Sequence, residues 1–208
     1  FNLGLMYDMG EGVTPDYKRA IKWYRLAAKQ NNAQAQFNLG QLYESGERVT
    51  QDFKKVVKWY KRAAENGNEL AQLKLGTLFE KGNGVAKNYK KAAKWYKLAA
   101  GQGNETAQFN LGYMYSRGIG VKRNYSEAVK WYRFSAGQGN VIAQFNLGVF
   151  YIEGRGVRQS YSKAASWFRL AAKRGDAEAQ FRLGMMYEDG DGVEKDPEKA
   201  VRLYRFAA

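Results

Sequence analysis

The side chains that most often carry out catalysis are missing from this sequence. None of its 208 residues is histidine or cysteine, which removes the commonest general base, the commonest metal ligand and every thiol nucleophile or disulfide. An enzyme built from this chain would have to use carboxylates, lysine, tyrosine or serine alone. We therefore predict a protein that is not an enzyme, with no catalytic residue, no metal site and no cofactor.

Two patterns resemble ligand sites but lack the residues that define them. The Gly-x-Gly turns at residues 82–84 and 118–120 follow predicted helices rather than strands and lack the rest of a dinucleotide or phosphate fingerprint. The acidic cluster of Glu188, Asp189 and Asp191 lacks the spacing of a calcium-binding loop. We interpret the Gly-x-Gly pattern as turn chemistry and expect no calcium site at the acidic cluster.

The informative residues recur every 36 positions. Leu-Gly pairs begin at residues 3, 39, 75, 111, 147 and 183, and the tryptophans of the chain are Trp23, Trp59, Trp95, Trp131 and Trp167. A fixed step without insertions is the signature of a solenoid, in which each structural unit packs on the next. The step predicts a single array of six units, approximately 1–31, 32–67, 68–103, 104–139, 140–175 and 176–208.

Each unit is predicted to contain two helices. In residues 32–67, Asn32 can cap helix A, which ends near Gly46, and Asp52 can cap helix B, which ends at Gly67. Every unit has a comparable cap residue before helix B, and Pro197 lies where a first helical residue tolerates proline. The fold class is therefore all-α, a right-handed α-solenoid of about six antiparallel helix pairs, with the tryptophan and other aromatic columns filling its core.

Three further columns carry structural expectations. A glycine in the middle of helix A, as at Gly40, costs about 1 kcal/mol relative to alanine, so its recurrence predicts the close approach of a neighbouring helix. The glutamine column that includes Gln36 favours internal hydrogen bonding over ligand binding. Position 48 is glycine in the other units, so Arg48 costs about 1–2 kcal/mol if that turn needs positive φ.

The units resemble the Sel1-like repeat, a relative of the tetratricopeptide repeat. Each reads Ala-x-x-x-Leu-Gly-x-x-Tyr-x-x-Gly-x-Gly-Val, then an N-cap, Lys-Ala, Trp and Ala-Ala-x-x-Gly, and residues 107–139 show nearly all of it. A period of 36 rather than 34 favours Sel1 over the tetratricopeptide repeat. The resemblance implies a scaffold or adaptor of bacterial signalling, envelope assembly or host interaction, or of eukaryotic quality control. It leaves periplasmic, secreted and cytoplasmic locations open.

Both ends of the chain fall inside predicted helices, with no polar cap. We therefore expect it to be part of a longer protein, and any membrane attachment would come from segments outside this chain.

A stripe of variable residues along helix A is the predicted binding surface. Its positions have helical spacing and carry apolar groups that a solvated face does not need. The stripe predicts a groove for a protein or peptide segment, with asparagines that bond either the ligand backbone or one another. Ordinary packing between units is the alternative. The predicted ligand-binding residues are Asn38, Gln41, Leu70, Lys74, Thr77, Asn110, Tyr113, Ile142, Asn146, Val149, Arg182 and Met185.

The charge distribution favours an acidic partner. The net charge is +14, and residues 117–174 contain eleven basic and two acidic side chains, a net of +9. Lysine and arginine columns on helix B indicate a solvated outer face. A basic edge on the turns between helices A and B could instead bind a polyanion. Nucleic acid is not favoured, because single-strand binders keep aromatic rings on the open surface, and no small-molecule substrate is expected. The basic edge consists of Arg117, Lys122, Arg123, Arg155 and Arg158.

Overall fold

The computed structural model describes residues 1–47 and 49–208, which form two compact units, Phe1–Asn104 and Glu105–Ala208. Arg48 lies outside the described residues. The described chain contains only helices and turns, arranged as successive helix pairs, which confirms the all-α solenoid class. None of these helices is long and apolar enough to cross a membrane. The first unit contains α1 (Asn2–Met9), α2 (Tyr17–Lys29), α3 (Ala33–Ser45), α4 (Phe53–Glu65), α5 (Glu69–Lys81) and α6 (Tyr89–Gly101), and the second contains α7 (Glu105–Arg117), α8 (Tyr125–Gly137), α9 (Val141–Glu153), α10 (Tyr161–Lys173), α11 (Ala177–Asp189) and α12 (Pro197–Ala207).

Helix boundaries are fixed by side-chain caps and left-handed glycines. Each helix B begins after a polar residue whose side chain accepts an N–H of the first turn, as Asn88 does from Lys91 at 2.9 Å. Asn32, Asn68, Asn140 and Asp176 cap their A helices in the same way. Gly46 ends α3 with φ of 70°, as predicted. Helix α4 ends at Glu65, two residues before Gly67, which has φ of 86°.

The core of each of the first five repeats is built around a buried aromatic ring that faces the glycine of helix A, and the equivalent Tyr204 of the last repeat is half-buried. Tyr132 of α8 lies against Gly112 of α7, where a Cβ atom would be only 2.7 Å from the ring. Since a normal carbon–carbon contact is about 3.5–4.0 Å, only glycine fits, and the predicted close approach of helices is confirmed. The same column holds Tyr24, Tyr60, Tyr96 and Phe168, all fully buried.

The tryptophans contribute less to the core than the sequence predicted. Trp131 is buried, but the other four are half-buried and pack at the margins of the clusters. The centre belongs to the next residue along helix B, because that position points at the helix A glycine.

The glutamine column links helices by hydrogen bonds, which confirms its structural role. Gln72 Nε2 donates to the Ala64 carbonyl at 3.1 Å, and its Oε1 accepts from Gln102 Nε2 at 2.8 Å. Gln102 also donates to the Gly67 carbonyl at 3.1 Å. In the second unit Arg174 takes the Gln102 position and donates to Gly139 instead, which leaves the buried Gln144 Oε1 without a partner.

Candidate functional site

The predicted stripe on helix A is partly open and partly packed. Leu70, Tyr113, Ile142 and Met185 are between 38% and 54% exposed, far more than residues that fill a core. Val149 is half-buried and packs against the core of the second unit. The exposed members support the groove hypothesis, whereas Val149 fits the packing alternative.

In the first unit, several predicted site residues already have partners within the chain. Lys74 Nζ lies 2.8 Å from Glu44 Oε2, and Asn38 Oδ1 accepts from Gln34 at 2.9 Å. Thr77 bonds the Leu73 carbonyl at 3.2 Å. The Asn38 and Thr77 bonds lie within one helix, whereas the Lys74–Glu44 pair joins two neighbouring repeats.

A shallow cavity of about 510 Å³ in the first unit contains two of the predicted site residues, Asn38 and Gln41. Asp8 and Glu47 also line it, so it has acidic rather than basic walls.

The remaining stripe residues of the second unit are dispersed. Arg182 pairs with Glu178 at 3.0 Å, Met185 is exposed, and Asn110 is half-buried. The structure does not bring these three together with the others.

The second unit has a cavity of about 490 Å³ that joins the two predicted sites. Stripe residues Tyr113, Ile142, Asn146 and Val149 meet three arginines of the basic edge there, whereas Lys122 and Arg158 are exposed outside its walls. The cavity is therefore aromatic and basic, with no carboxylate in its lining. The complete lining is Phe109, Tyr113, Ser116, Arg117, Arg123, Tyr125, Tyr132, Ile142, Phe145, Asn146, Val149, Phe150 and Arg155.

The arginines of the cavity are held mainly by aromatic rings. The Arg123 and Arg155 guanidinium carbons lie 5.5 and 5.7 Å from the centre of the Tyr125 ring, which is a cation–π distance. Arg117 lies 5.9 Å from the Tyr113 ring in the same way. Arg155 also pairs with Glu153 at 2.8 Å, but Arg117 and Arg123 form no ion pair with any described residue. Two positive charges thus remain available at the cavity.

Tyr132 is a cavity residue that the sequence analysis did not select. Burial raises the pKa of its phenol, whereas the neighbouring Ser116 side chain, the charge of Arg117 and the Asn146 side chain act in the opposite direction. The ring is almost fully buried and forms part of the cavity lining. A neutral hydroxyl at this position can donate one hydrogen bond to a ligand.

A column of acidic residues gives the signal that could have identified this site. Position 44 and its equivalents read Asp8, Glu44, Glu80, Ser116, Ile152 and Glu188. Tyr60 donates to Glu44 at 2.7 Å, and the equivalent tyrosines bond their acidic partners too. The acidic residue is missing in the fourth repeat, where the tyrosine persists.

The basic columns on helix B lie on the outer face, as expected of a solvated surface. Three of these arginines also bond a tyrosine of the next repeat: Arg25 donates to Tyr43 at 2.9 Å, and the other two pairs are Arg133 with Tyr151 and Arg169 with Tyr187. This part of the basic surface connects neighbouring repeats.

Six copies of the Sel1 repeat match the chain, at residues 1–32, 33–68, 70–104, 106–140, 141–176 and 177–208. The chain belongs to the Sel1 repeat family. Sel1 repeat proteins generally act as protein-interaction scaffolds, and their fold is a non-catalytic one. The Sel1 resemblance found in the sequence is thereby confirmed.

Two solved bacterial Sel1 structures are similar over nearly the whole chain. The protective antigen c5321 of uropathogenic Escherichia coli is 43% identical with a TM-score of 0.91, and it matches 99% of this chain. A Sel1 repeat protein of Oxalobacter formigenes is 35% identical with a TM-score of 0.87, covering 98% of this chain and 82% of its own. The chain spans 44% of the length of the Escherichia coli protein. No curated protein matches it significantly in sequence.

Proposed function

We propose that this Sel1 repeat chain is an adaptor that binds a segment of another protein on the open stripe of helix A. The observation that supports it best is the cavity of the second unit, where exposed Tyr113 and Ile142 lie beside unpaired Arg117 and Arg123. Exposed apolar groups rimmed by polar ones are typical of interaction sites, and aromatic and arginine side chains are enriched where binding energy concentrates.

The same cavity argues for binding rather than catalysis. Its lining offers no carboxylate, histidine or lysine that could accept or deliver a proton near neutral pH. Tyr132, its one buried phenol, has a raised pKa and stays protonated. Arginine remains charged at all relevant pH values, so the site can attract and orient a partner but has no acid–base pair.

Polyanion binding through the basic edge has weaker support. Only three of its five members line the cavity, and one of these three, Arg155, is already paired with Glu153. Arg117 and Arg123 stack on tyrosines in a recess, which suits a discrete group better than an extended chain of phosphates.

A triple variant tests the proposed surface. Tyr113→Asp, Ile142→Asp and Met185→Asp change three exposed side chains of helix A, and we expect capture of partner proteins by the full-length protein to be lost. Val149 is left unchanged because it packs against the core. The matched control is Leu98→Asp, Phe134→Asp and Leu170→Asp, which changes side chains of similar exposure on helix B.

Comparison of the two triple variants separates binding from folding. Both should keep the helical circular dichroism signal and a Tm within a few degrees of wild type, because neither changes a buried residue. Equal loss of partner capture in both variants, or unfolding of the helix A variant alone, would refute the groove.

A further inference from the structure

In four repeats, the helix B tyrosine that faces the helix A glycine bonds a carboxylate of its own helix A; three of these tyrosines are buried and Tyr204 is half-buried. Tyr60 donates to Glu44 at 2.7 Å, and Tyr96 donates to Glu80 at 2.5 Å. The pairs of Tyr24 with Asp8 and Tyr204 with Glu188 measure 3.1 and 2.5 Å. The two residues of each pair are sixteen positions apart in the sequence. The same position of the repeat therefore brings a carboxylate within hydrogen-bond distance of the tyrosine hydroxyl each time.

The fifth repeat has lost both members of this pair and the fourth has lost only one. In the fifth repeat the column residues are Phe168 and Ile152, and replacing both polar partners with apolar groups costs little. The fourth repeat keeps Tyr132, but Ser116 replaces the acid, and the Ser116 hydroxyl donates to the Tyr113 carbonyl at 2.8 Å. Serine is too short to fill the space of a glutamate, and both Ser116 and Tyr132 line the cavity.

The surroundings of this cavity are suited to a negative charge. In the second repeat, Glu44 receives both the Tyr60 hydroxyl and the Lys74 ammonium, the latter at 2.8 Å. In the fourth repeat, Arg117 and Arg123 supply positive charge at the cavity and no acidic side chain lines it. Arginine binds carboxylates through two parallel hydrogen bonds.

We propose that this cavity binds the side-chain carboxylate of a glutamate or aspartate in a partner protein segment, at the place where the other repeats hold their own acid. The Tyr132 hydroxyl and the Arg117 guanidinium donate to the carboxylate, and Arg123 contributes charge at the mouth. The rings of Phe109 and Phe145 contact the methylene groups of the bound side chain. The inference rests on the proposed function and names the partner's chemistry: an acidic residue flanked by apolar ones, which contact the exposed stripe.

The cavity volume agrees with such a ligand. About 490 Å³ falls within the range of roughly 300–1,000 Å³ that is usual for ligand-sized pockets. It admits one side chain with part of its flanking backbone, which favours a single anchored residue over a long polyanion.

Ser116→Glu is the decisive variant because it supplies the missing acid from within the chain. The geometry of Tyr60 with Glu44 and Tyr96 with Glu80 shows that a glutamate in this column reaches the hydroxyl. The variant should therefore fold with an equal or higher Tm and occupy its own binding site. Tyr132→Phe removes the donor while keeping the ring, and Phe168 shows that the column accepts phenylalanine.

The probe is a pair of randomised nonapeptide libraries, one with a central glutamate and one with a central glutamine, passed over the immobilised protein. We expect the glutamate library to be retained about tenfold better, and the preference to disappear in Ser116→Glu and Tyr132→Phe. Ser166→Glu makes the same change on the exposed outer face of α10 and should keep the preference. A heparin octasaccharide added as competitor distinguishes a polyanion site.

Each outcome decides between the hypotheses. If both libraries are retained equally and the helix A triple variant retains neither, carboxylate recognition is overturned. The adaptor function is then still supported. A glutamate preference unchanged in Ser116→Glu would place recognition elsewhere and overturn the inference. If heparin displaces the glutamate library completely, and does so equally in wild type and Ser116→Glu, the preference for negative charge belongs to the basic edge. Retention of neither library would refute both the inference and the groove.

Discussion

Alanine at Gly112 and at Gly137 should change stability in opposite directions, although both glycines are helical. A Cβ atom at Gly112 would lie 2.7, 2.9 and 3.2 Å from three carbons of the Tyr132 ring, so the ring would have to retreat by roughly 1 Å to restore a normal contact. It cannot do so freely, because it is packed against Phe109 and Phe150 with ring centres 5.9 and 5.7 Å away.

The magnitude follows from two opposing terms. Overpacking a rigid core costs up to about 3 kcal/mol, whereas replacing glycine by alanine inside a helix returns about 1 kcal/mol. Gly112→Ala should therefore lower the free energy of unfolding by about 2 kcal/mol. Gly137 ends α8 with no atom within 4 Å of a built Cβ, so Gly137→Ala should raise the free energy of unfolding by about 0.5–1 kcal/mol.

Urea unfolding followed by circular dichroism measures both changes on the full chain. The midpoint should move in opposite directions with an unchanged m-value, and the Tm of Gly112→Ala should fall by about 4–8 °C for a chain of this size. A Gly112→Ala variant as stable as wild type would mean that helices α7 and α8 do not approach this closely, and the core described here would be wrong.

Two other perturbations have effects of known sign. Arg174→Gln should raise the free energy of unfolding by about 1 kcal/mol, because a glutamine at this position can donate to Gln144 Oε1 as Gln102 donates to Gln72. Urea titration measures this gain. An unchanged free energy of unfolding would show that Gln144 Oε1 already has a hydrogen-bond partner. The hydrogen bond to Glu188 raises the pKa of Tyr204 from 10.0 to about 12, so the protonated phenol stabilises the native state up to about pH 10 and this contribution is lost as the pH rises through 12. The Tm difference between wild type and Tyr204→Phe should therefore shrink over that range, and a constant difference would contradict the pairing.

Much of the fold could be predicted because its determinants are local. A cap such as Asn88 acts within one helical turn, and the glycine at position 112 shows its packing role through recurrence at a fixed step. The buried aromatic column was harder to identify, since Trp131 and Tyr132 are adjacent and both apolar. Their relative burial depends on where the helix A glycine lies in space.

The residues of the candidate site were predicted as two separate surfaces, the helix A stripe and the basic edge, and the sequence did not show that these surfaces meet. Tyr113 and Ile142 came from the stripe and Arg117 and Arg123 from the turns, but their meeting in one cavity depends on the packing of α7, α8 and α9. Tyr132 was overlooked because its ring sits in a packing column, and the role of its hydroxyl appears only beside its neighbours. The interruption of the acidic column at Ser116 is a feature of the sequence alone.

The arginine–tyrosine pairs between neighbouring repeats restrict which repeat can follow which. Arg25 and Arg133 each precede a repeat that presents a tyrosine, whereas Lys61 precedes Phe79, which has no hydroxyl to bond. An arginine on helix B is thus matched by a tyrosine in the repeat that follows it, and these matches favour one order of repeats over others. If the 36-residue repeats are rearranged by engineering, the new arrays should be most stable when each repeat with a donating arginine is still followed by a repeat with the accepting tyrosine.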